Sequence, residues 1–353
     1  MSERQLATIR KIAEIKPIEK ADAIEAVRVD GWWVVAIKGE YKVGDLAVYL
    51  EVDSWVPTEL APFLTKPGHE PKEFEGVKGE RLRTIKLRGQ LSQGLLLSVE
   101  HCISVAGCTS AIQEGDDWTD HLGILKYEKP IPAQLAGMVE GDFPSFIPKT
   151  DQPRIQNCTH QFEKWKEEAH EWEITEKLDG SSMTVYVHYP EEPKDNVLVK
   201  YGVCSRNYDL KFDENNTFWK TAIENKICNR IASTGRSLAV QGELVGPGIQ
   251  GNPYKFSEHR FFVYDIFDID KQQYLMPFER SVICNQIGLN HVPFISFFRT
   301  PSNSTIEELL ELADGDSFVT ETKVMREGFV FKSMTEHDLS FKVISNKWLL
   351  KNE

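Results

Sequence analysis

Lys177 lies in Glu176-Lys177-Leu178-Asp179-Gly180-Ser181-Ser182, a lysine followed two residues later by a carboxylate and then a glycine. A lysine amine is a nucleophile only once its proton is gone, and a nearby cation or burial promotes that loss. Three further charged groups interrupt apolar runs. Glu243 stands in Ala239-Val240-Gln241-Gly242-Glu243-Leu244-Val245, Glu327 precedes Gly328-Phe329-Val330-Phe331-Lys332, and Lys342 stands in Ser340-Phe341-Lys342-Val343-Ile344. An acid in such a strand is costly to bury unless something cationic meets it. Lysines 177 and 342 with acids 179, 243 and 327 make a donor set suited to a divalent metal and a phosphate. Each alone fits a structural ion pair equally well, and Asp-Gly is the commonest hairpin connection.

These residues need strands to hold them. Residues 171–175 and 183–187 are rich in β-branched and aromatic side chains, which predicts a hairpin with Lys177 at its mouth and Asp179-Gly180 as its turn. Further strands are expected at 238–245, 261–268, 327–333 and 339–345. Alternation sets Glu327, Phe329 and Phe331 against Gly328, Val330 and Lys332, and it puts Phe262 and Tyr264 on one face, as core aromatics or as a surface for a base. Phe218, Ala222, Ile223, Ile227 and Ile231 predict one amphipathic helix over 215–233. Pro277 opens another, and Ser304-x-x-Glu307 reads as the capping box of a third. Helices and strands do not alternate regularly, so the class is α+β.

Residues 1–100 carry five short strand patterns separated by Gly and Asp turns, as in an OB-like β-barrel, a fold that commonly holds oligonucleotides. Residues 101–150 lose that periodicity and gain Pro130, Pro132, Pro144 and Pro148, which predicts a connector, with the second domain at 151–353. The 353 residues suffice for two cores. No apolar run approaches the ~20 residues of a bilayer span, and the N-terminus lacks a signal-peptide pattern, so a soluble intracellular protein of cytoplasm or nucleus is expected. Cysteines 102, 108, 158, 204, 228 and 284 form no Cys-x-x-Cys pair, which predicts buried thiols. A net charge of -13 argues against a broad nucleic-acid-coating surface. Positive charge is local: Lys78, Arg81, Arg83, Lys86 and Arg88 surround the single acid Glu80, as a basic groove or a solvated strand.

Lys177-x-Asp179-Gly180, Ser205-Arg206-Asn207, Glu243, Phe262-x-Tyr264-Asp265, Glu327-Gly328-x-Val330 and Lys342 resemble, in order and spacing, the collinear motifs of covalent nucleotidyltransferases, the superfamily of DNA ligases, RNA ligases and capping enzymes. DNA ligases and capping enzymes carry an OB module after the last motif, whereas only eleven residues follow Lys342 and the OB-like barrel comes first. The chain therefore resembles the two-domain branch of ATP-dependent RNA ligases, with Arg154-Ile155-Gln156-Asn157 and Lys86-Leu87-Arg88-Gly89 as supporting segments. Two features depart from the family pattern. Lys342 is followed by Ile344 where many relatives have a second lysine, leaving Lys347 as a badly spaced substitute, and no glycine follows Arg206.

The resemblance implies that Lys177 attacks the α-phosphorus of ATP to form lysyl-AMP, its pKa lowered by a metal or by Lys342. It implies Asp179, Glu243 and Glu327 as holders of Mg2+ or Mn2+, directly or through water, and Lys342 as the neutraliser of the α-phosphate. Glu176, Leu178, Arg206, Asn207, Phe262, Tyr264, Val330 and Lys332 complete the implied ATP/AMP contacts, with Arg154 on phosphate and Lys86 and Arg88 on RNA. AMP would pass to a 5'-phosphate and be displaced by a 3'-hydroxyl, in a nick or break. No Gly-x-x-x-x-Gly-Lys-Ser/Thr loop is present to suggest an end-repairing kinase. The alternatives are a DNA-joining or capping-type enzyme, and a non-catalytic OB protein that binds single strands.

Overall fold

The structure, a computed structural model, describes residues 4–107, 112–128, 137–190 and 198–352. The chain divides into two compact units, Met1–Pro130 with Gln156–Thr159 and Leu349–Glu353, and Ile131–Ile155 with His160–Trp348. The expected connector is therefore not a separate irregular piece, because the described residues between 101 and 150 are shared between the units. Pro130, Pro132 and Cys108 lie outside the described residues.

In the first unit, β1 (Ala7–Pro17), β2 (Ile24–Val29), β3 (Trp32–Ile37) and β4 (Leu46–Leu50) are the predicted barrel strands. An inserted sheet follows, from β5 (Ser54–Pro57), β6 (Lys72–Phe74) and β7 (Val77–Arg81), and then a hairpin of β8 (Ile85–Leu87) and β9 (Gln90–Ser92). β10 (Leu95–Ser98) returns to pair with β4, giving the order β10-β4-β1-β2-β3 of an OB barrel. β1 serves two neighbours, pairing with β4 over 7–11 and with β2 over 12–17, and a bulge between Ile12 and Glu14 bends it from one to the other. Helix α1 (Val99–Ala106) ends at Gly107 in the left-handed region, and β11 (Leu125–Lys126) extends the inserted sheet. Trp118, Leu122 and Ile124 fill one barrel core with Ile9, Val48 and Leu50, so residues beyond 100 complete this unit. Segment 156–159 completes it too: Asn157 accepts from Trp32 Nε1 at 2.5 Å and donates to Glu51 Oε1 at 2.5 Å.

The second unit holds two sheets. Strand β12 (Val139–Asp142) and helix α2 (Thr159–Glu167) precede β13 (Glu171–Lys177) and β14 (Ser181–His188); β15 (Lys200–Cys204) and β16 (Tyr208–Leu210) form a hairpin. Helices α3 (Thr217–Glu224) and α4 (Ile227–Ala232) replace the single helix expected over 215–233, because Lys226 takes a left-handed φ of 53° and breaks it. Then come β17 (Leu238–Val245), β18 (Arg260–Asp268), β19 (Gln273–Tyr274), α5 (Pro277–Ile287), β20 (Phe294–Arg299), α6 (Ile306–Ala313), β21 (Gly328–Ser333), β22 (Ser340–Ile344) and α7 (Asn346–Asn352). The capping box of α6 is Thr305 with Glu308, one residue later than read from Ser304, since Thr305 has the extended backbone a cap needs.

Seven strands run β12-β16-β15-β14-β17-β18-β19 and four run β20-β13-β21-β22. β13 and β14 thus lie in different sheets, and the predicted hairpin at Lys177 does not form. β13 pairs with β20 and β21, β14 pairs with β15 and β17, and Leu178-Asp179-Gly180 crosses between the sheets. One face of the larger sheet, with Met183, Val185, Val240, Leu244 and Val263, buries the apolar stripes of α3, α4 and α5. Apolar burial of this kind contributes roughly 25 cal/mol per Å². The outer face of the smaller sheet is closed by aromatic packing: Trp165 of α2 stacks on Phe341 at 5.3 Å, and Phe341 on Phe331 at 4.7 Å.

Candidate active site

With those two faces sealed, the polar side chains collect on the opposite faces. In the smaller sheet the rows Lys177–Gly328–Ile344 and Thr175–Val330–Lys342 lie side by side, so Lys177, Val330 and Lys342 share a face. In the larger sheet Ser182, Glu243 and Phe262 stand in one row across β14, β17 and β18. A bulge in β18 opposite Gln241 and Gly242 gives Tyr264 no partner of its own, so that Phe262, Tyr264 and Asp265 all turn inward. Strict alternation would have sent Asp265 to the helix side.

At the crossing, Lys177 Nζ is 2.7 Å from Glu327 Oε1. Burial alone would lower the lysine pKa, but Glu327, Glu243 and Asp179 outweigh it and hold it above the ordinary value. The protein groups facing its ammonium are carboxylates, so the cation expected to lower this pKa would have to be held by them. Burial, helped by Glu327 and Asp179 and opposed by Lys177 and Arg206, pushes Glu243 up to about 8. Carboxylates that repel one another this way, with Glu327 Oε2 buried and making no hydrogen bond, favour a hard divalent cation. Among the described residues no group of three His, Cys, Asp or Glu side chains forms a ready-made metal cage.

Gly180 lets the crossing approach β17. A Cβ there would meet Leu244 O at 2.5 Å and Glu243 Cγ at 2.9 Å. Gly180→Ala is accordingly expected to displace Asp179 from Glu243, lowering stability by about 1–3 kcal/mol and slowing any reaction at Lys177. Urea melting and single-turnover rates would check this, and an unchanged rate would show that the close approach does not matter.

Beside the acids lies an aromatic cluster of Leu178, Val245, Tyr254, Phe262 and Val292, with Phe256 and Tyr264 packed against it. The Tyr254 hydroxyl accepts the Asp179 N–H at 2.7 Å and the Tyr264 hydroxyl meets Ser182 Oγ at 3.0 Å. Glu176 is buried and its Oε2 accepts the Phe318 N–H at 2.7 Å; burial raises its pKa. Tyr254 carries no signal in the sequence. Neither does Arg326, whose guanidinium donates to the carbonyls of Leu312, Ala313, Asp314 and Asp316, tying the end of α6 to the approach to Glu327.

The other candidates are placed as follows. Lys342 Nζ donates to Asp151 Oδ1 at 3.1 Å, and its strand bridges to the buried Arg154. Arg206 is close enough to act on Glu243, while Asn207 Oδ1 accepts from Lys149 at 3.2 Å. Lys347 pairs with Asp314 at 3.0 Å, away from Lys342. Lys86 and Arg88 are exposed on the β8–β9 hairpin of the first unit, whereas Arg81 is tied to Asp53.

Lys332, expected on the nucleotide, is buried. It pairs with Asp265 and donates to Tyr264 O at 2.7 Å. Arg280, fully buried on α5, pairs with Glu173 of β13, lies 3.7 Å from Asp265, and donates through Nε to His291 Nε2 at 2.9 Å. His291 Nδ1 donates to Val292 O at 2.7 Å, which fixes a neutral imidazole. Burial and the Arg280 cation push His291 from 6.5 to about 4. The unfolded chain takes up this proton first as pH falls, so stability should drop by about 3 kcal/mol between roughly pH 6.5 and 4 and level off below. Urea midpoints across that window should fall more steeply for the wild type than for His291→Asn, and parallel curves would count against it.

A model of the RNA ligase family matches residues 170–347, and an OB-fold domain model matches residues 6–99. Among solved structures, the chain is 44% identical to Naegleria gruberi RNA ligase. A ligand-free mutant of that enzyme aligns with TM-score 0.87 over 99% of both chains. A mutant with ATP and Mn aligns with TM-score 0.86 over 100% of this chain and 99% of that one. The enzyme with PPi aligns with TM-score 0.86 over 99% of this chain and 98% of that one. Among curated protein sequences, none matches the chain.

Proposed function

The chain belongs to the RNA ligase family and is an ATP-dependent RNA ligase acting through a covalent adenylate, and from that premise we propose that Lys177 carries the AMP and that a 5'-phosphate is joined to a 3'-hydroxyl, in a nicked duplex. The observation that carries the residue assignment is the convergence on Lys177 of Glu327, Glu243 and Asp179 from different segments of the two sheets, on the face that Lys177 shares with Lys342.

Lys177 Nζ bonds to the α-phosphorus of ATP as the bond to pyrophosphate breaks. Before that its ammonium must give up a proton and leave Glu327. A divalent ion held by Glu243, Glu327 and Asp179, directly or through water, supplies positive charge that lowers the lysine pKa and offsets the charge of the triphosphate. Lys342 then moves from Asp151 to the α-phosphate, where negative charge builds in the transition state. Phe262, Tyr264, Leu178 and Val330 enclose adenine, Glu176 offers its unpartnered Oε1 at the base, and Arg206 and Asn207 hold ribose or phosphate. Arg154 contacts phosphate. AMP passes to the RNA 5'-phosphate, and the 3'-hydroxyl displaces it to form the phosphodiester. Lys86 and Arg88 grip the RNA backbone without reading sequence. ATP and a divalent metal, Mg2+ or Mn2+, are the cofactors.

The test uses ATP labelled at the α-phosphate, then nicked duplexes with RNA or DNA on the 3'-hydroxyl side. The protein should take up label, seal nicks with RNA there, and fail on ends lacking the 5'-phosphate. A labelled protein that prefers DNA on the 3'-hydroxyl side would overturn the proposed substrate.

A further inference from the structure

The first three barrel strands separate two faces. Val27 opposite Val34 and Val29 opposite Trp32 point into the core. The alternate side chains Glu14, Lys16, Arg28 and Trp33 lie on the outer face. There the Trp33 indole carries two cations: Lys16 Nζ stands 4.7 Å from the ring centroid and the Arg28 guanidinium 5.8 Å. Glu14 gathers both, 2.9 Å from Lys16 Nζ and 3.2 Å from Arg28 Nε, and this holds its carboxyl below the usual range. Two cations against one acid leave the patch positive in a chain of net charge -13.

The patch continues along β3 and onto the next hairpin. Ile37, on the same side as Trp33, is 66% exposed. The Trp33 carbonyl accepts the Gln93 N–H at 2.8 Å and Ser92 Oγ accepts the Val35 N–H at 2.9 Å, which ties β3 to the hairpin bearing Lys86 and Arg88. Trp33 contributes to neither barrel core. Every nucleobase has a π-face that stacks on an indole, and cations on long stems reach the phosphates on either side. The outer face of the second and third strands is also where OB barrels take oligonucleotides.

We propose that the Trp33 face binds an unpaired stretch of RNA, with the indole stacking on a base while Lys16 and Arg28 swing from the ring to the flanking phosphates. The proposal rests on RNA being the substrate, and it assigns to the barrel a stacking site beyond the basic hairpin.

Binding of a fluorescent oligouridylate to the full chain tests it, with lysine labelling by ATP measured in parallel. Trp33→Leu should weaken binding about tenfold or more, and Trp33→Phe should restore most of it, because a ring stacks and an aliphatic chain does not. Lys16→Ala and Arg28→Ala should each reduce the slope of log affinity against log salt by about 0.7. Unchanged binding by Trp33→Leu overturns the proposal. So does equal weakening toward fully paired RNA, or joint loss of RNA binding and ATP labelling, which would mark a folding role. A wild type that binds RNA yet takes no label would instead fail the ligase reading and leave the binding arms readable.

Discussion

Lys177→Arg is expected to abolish ATP-dependent labelling, by more than ~10³-fold, while leaving the melting curve unchanged. Arginine keeps the positive charge and can reach Glu327, so the ion pair at 2.7 Å has a replacement. Its guanidinium does not deprotonate in proteins and therefore offers no lone pair to phosphorus. The same variant should still seal RNA supplied with a 5'-adenylate already attached, since that step no longer needs a lysine nucleophile. Persistent labelling would move the nucleophile to another residue. Loss of sealing on adenylated RNA would give Lys177 a second role in phosphodiester formation.

The largest stability effect should come from Arg280→Met. Arg280 is fully buried between Glu173 and Asp265, with Lys332 as the second cation, so the network balances two positive against two negative groups. Removing one member leaves a buried carboxylate without its partner, which costs about 3–5 kcal/mol. Glu173 lies on the strand that ends in Lys177, and Asp265 follows the bulge that turns Tyr264 inward, so adenylation should fall as well. Adding Glu173→Gln should return part of the lost stability, because the orphaned charge is then gone. Denaturant melts of the single and double variants measure it, and simple additivity would show that the pair is not coupled.

Glu243, Glu327 and Lys342 stand out in the sequence because charge inside apolar strands is rare. The five barrel strands were legible because turn residues punctuate them. The path around Lys177 was not, because a strand, Asp-Gly and a second strand look alike in a hairpin and in a crossing between sheets. What decides between them is the pairing of Lys177 with Gly328, far along the chain. The resemblance implies a nucleotide contact for Lys332, and alternation, which puts it on the face of Val330, cannot say that Asp265 meets it there. Asp265 itself reaches that face only through a bulge with no mark in composition. Nothing in the sequence sets Arg280 or Arg326 apart from ordinary helix and loop cations, and only tertiary packing buries them.

The return of residues 156–159 to the barrel unit bears on how this protein is made. Trp32 and Glu51 emerge early from the ribosome, but their shared partner Asn157 follows only after the first stretch of the other unit has been synthesised. Leu349, buried and part of the barrel unit, follows later than Asn157. The N-terminal module therefore cannot finish folding as a leading bead on a string. A gene fusion that exchanged it at a single junction would leave the indole N–H of Trp32 and the carboxylate of Glu51 without the amide that joins them.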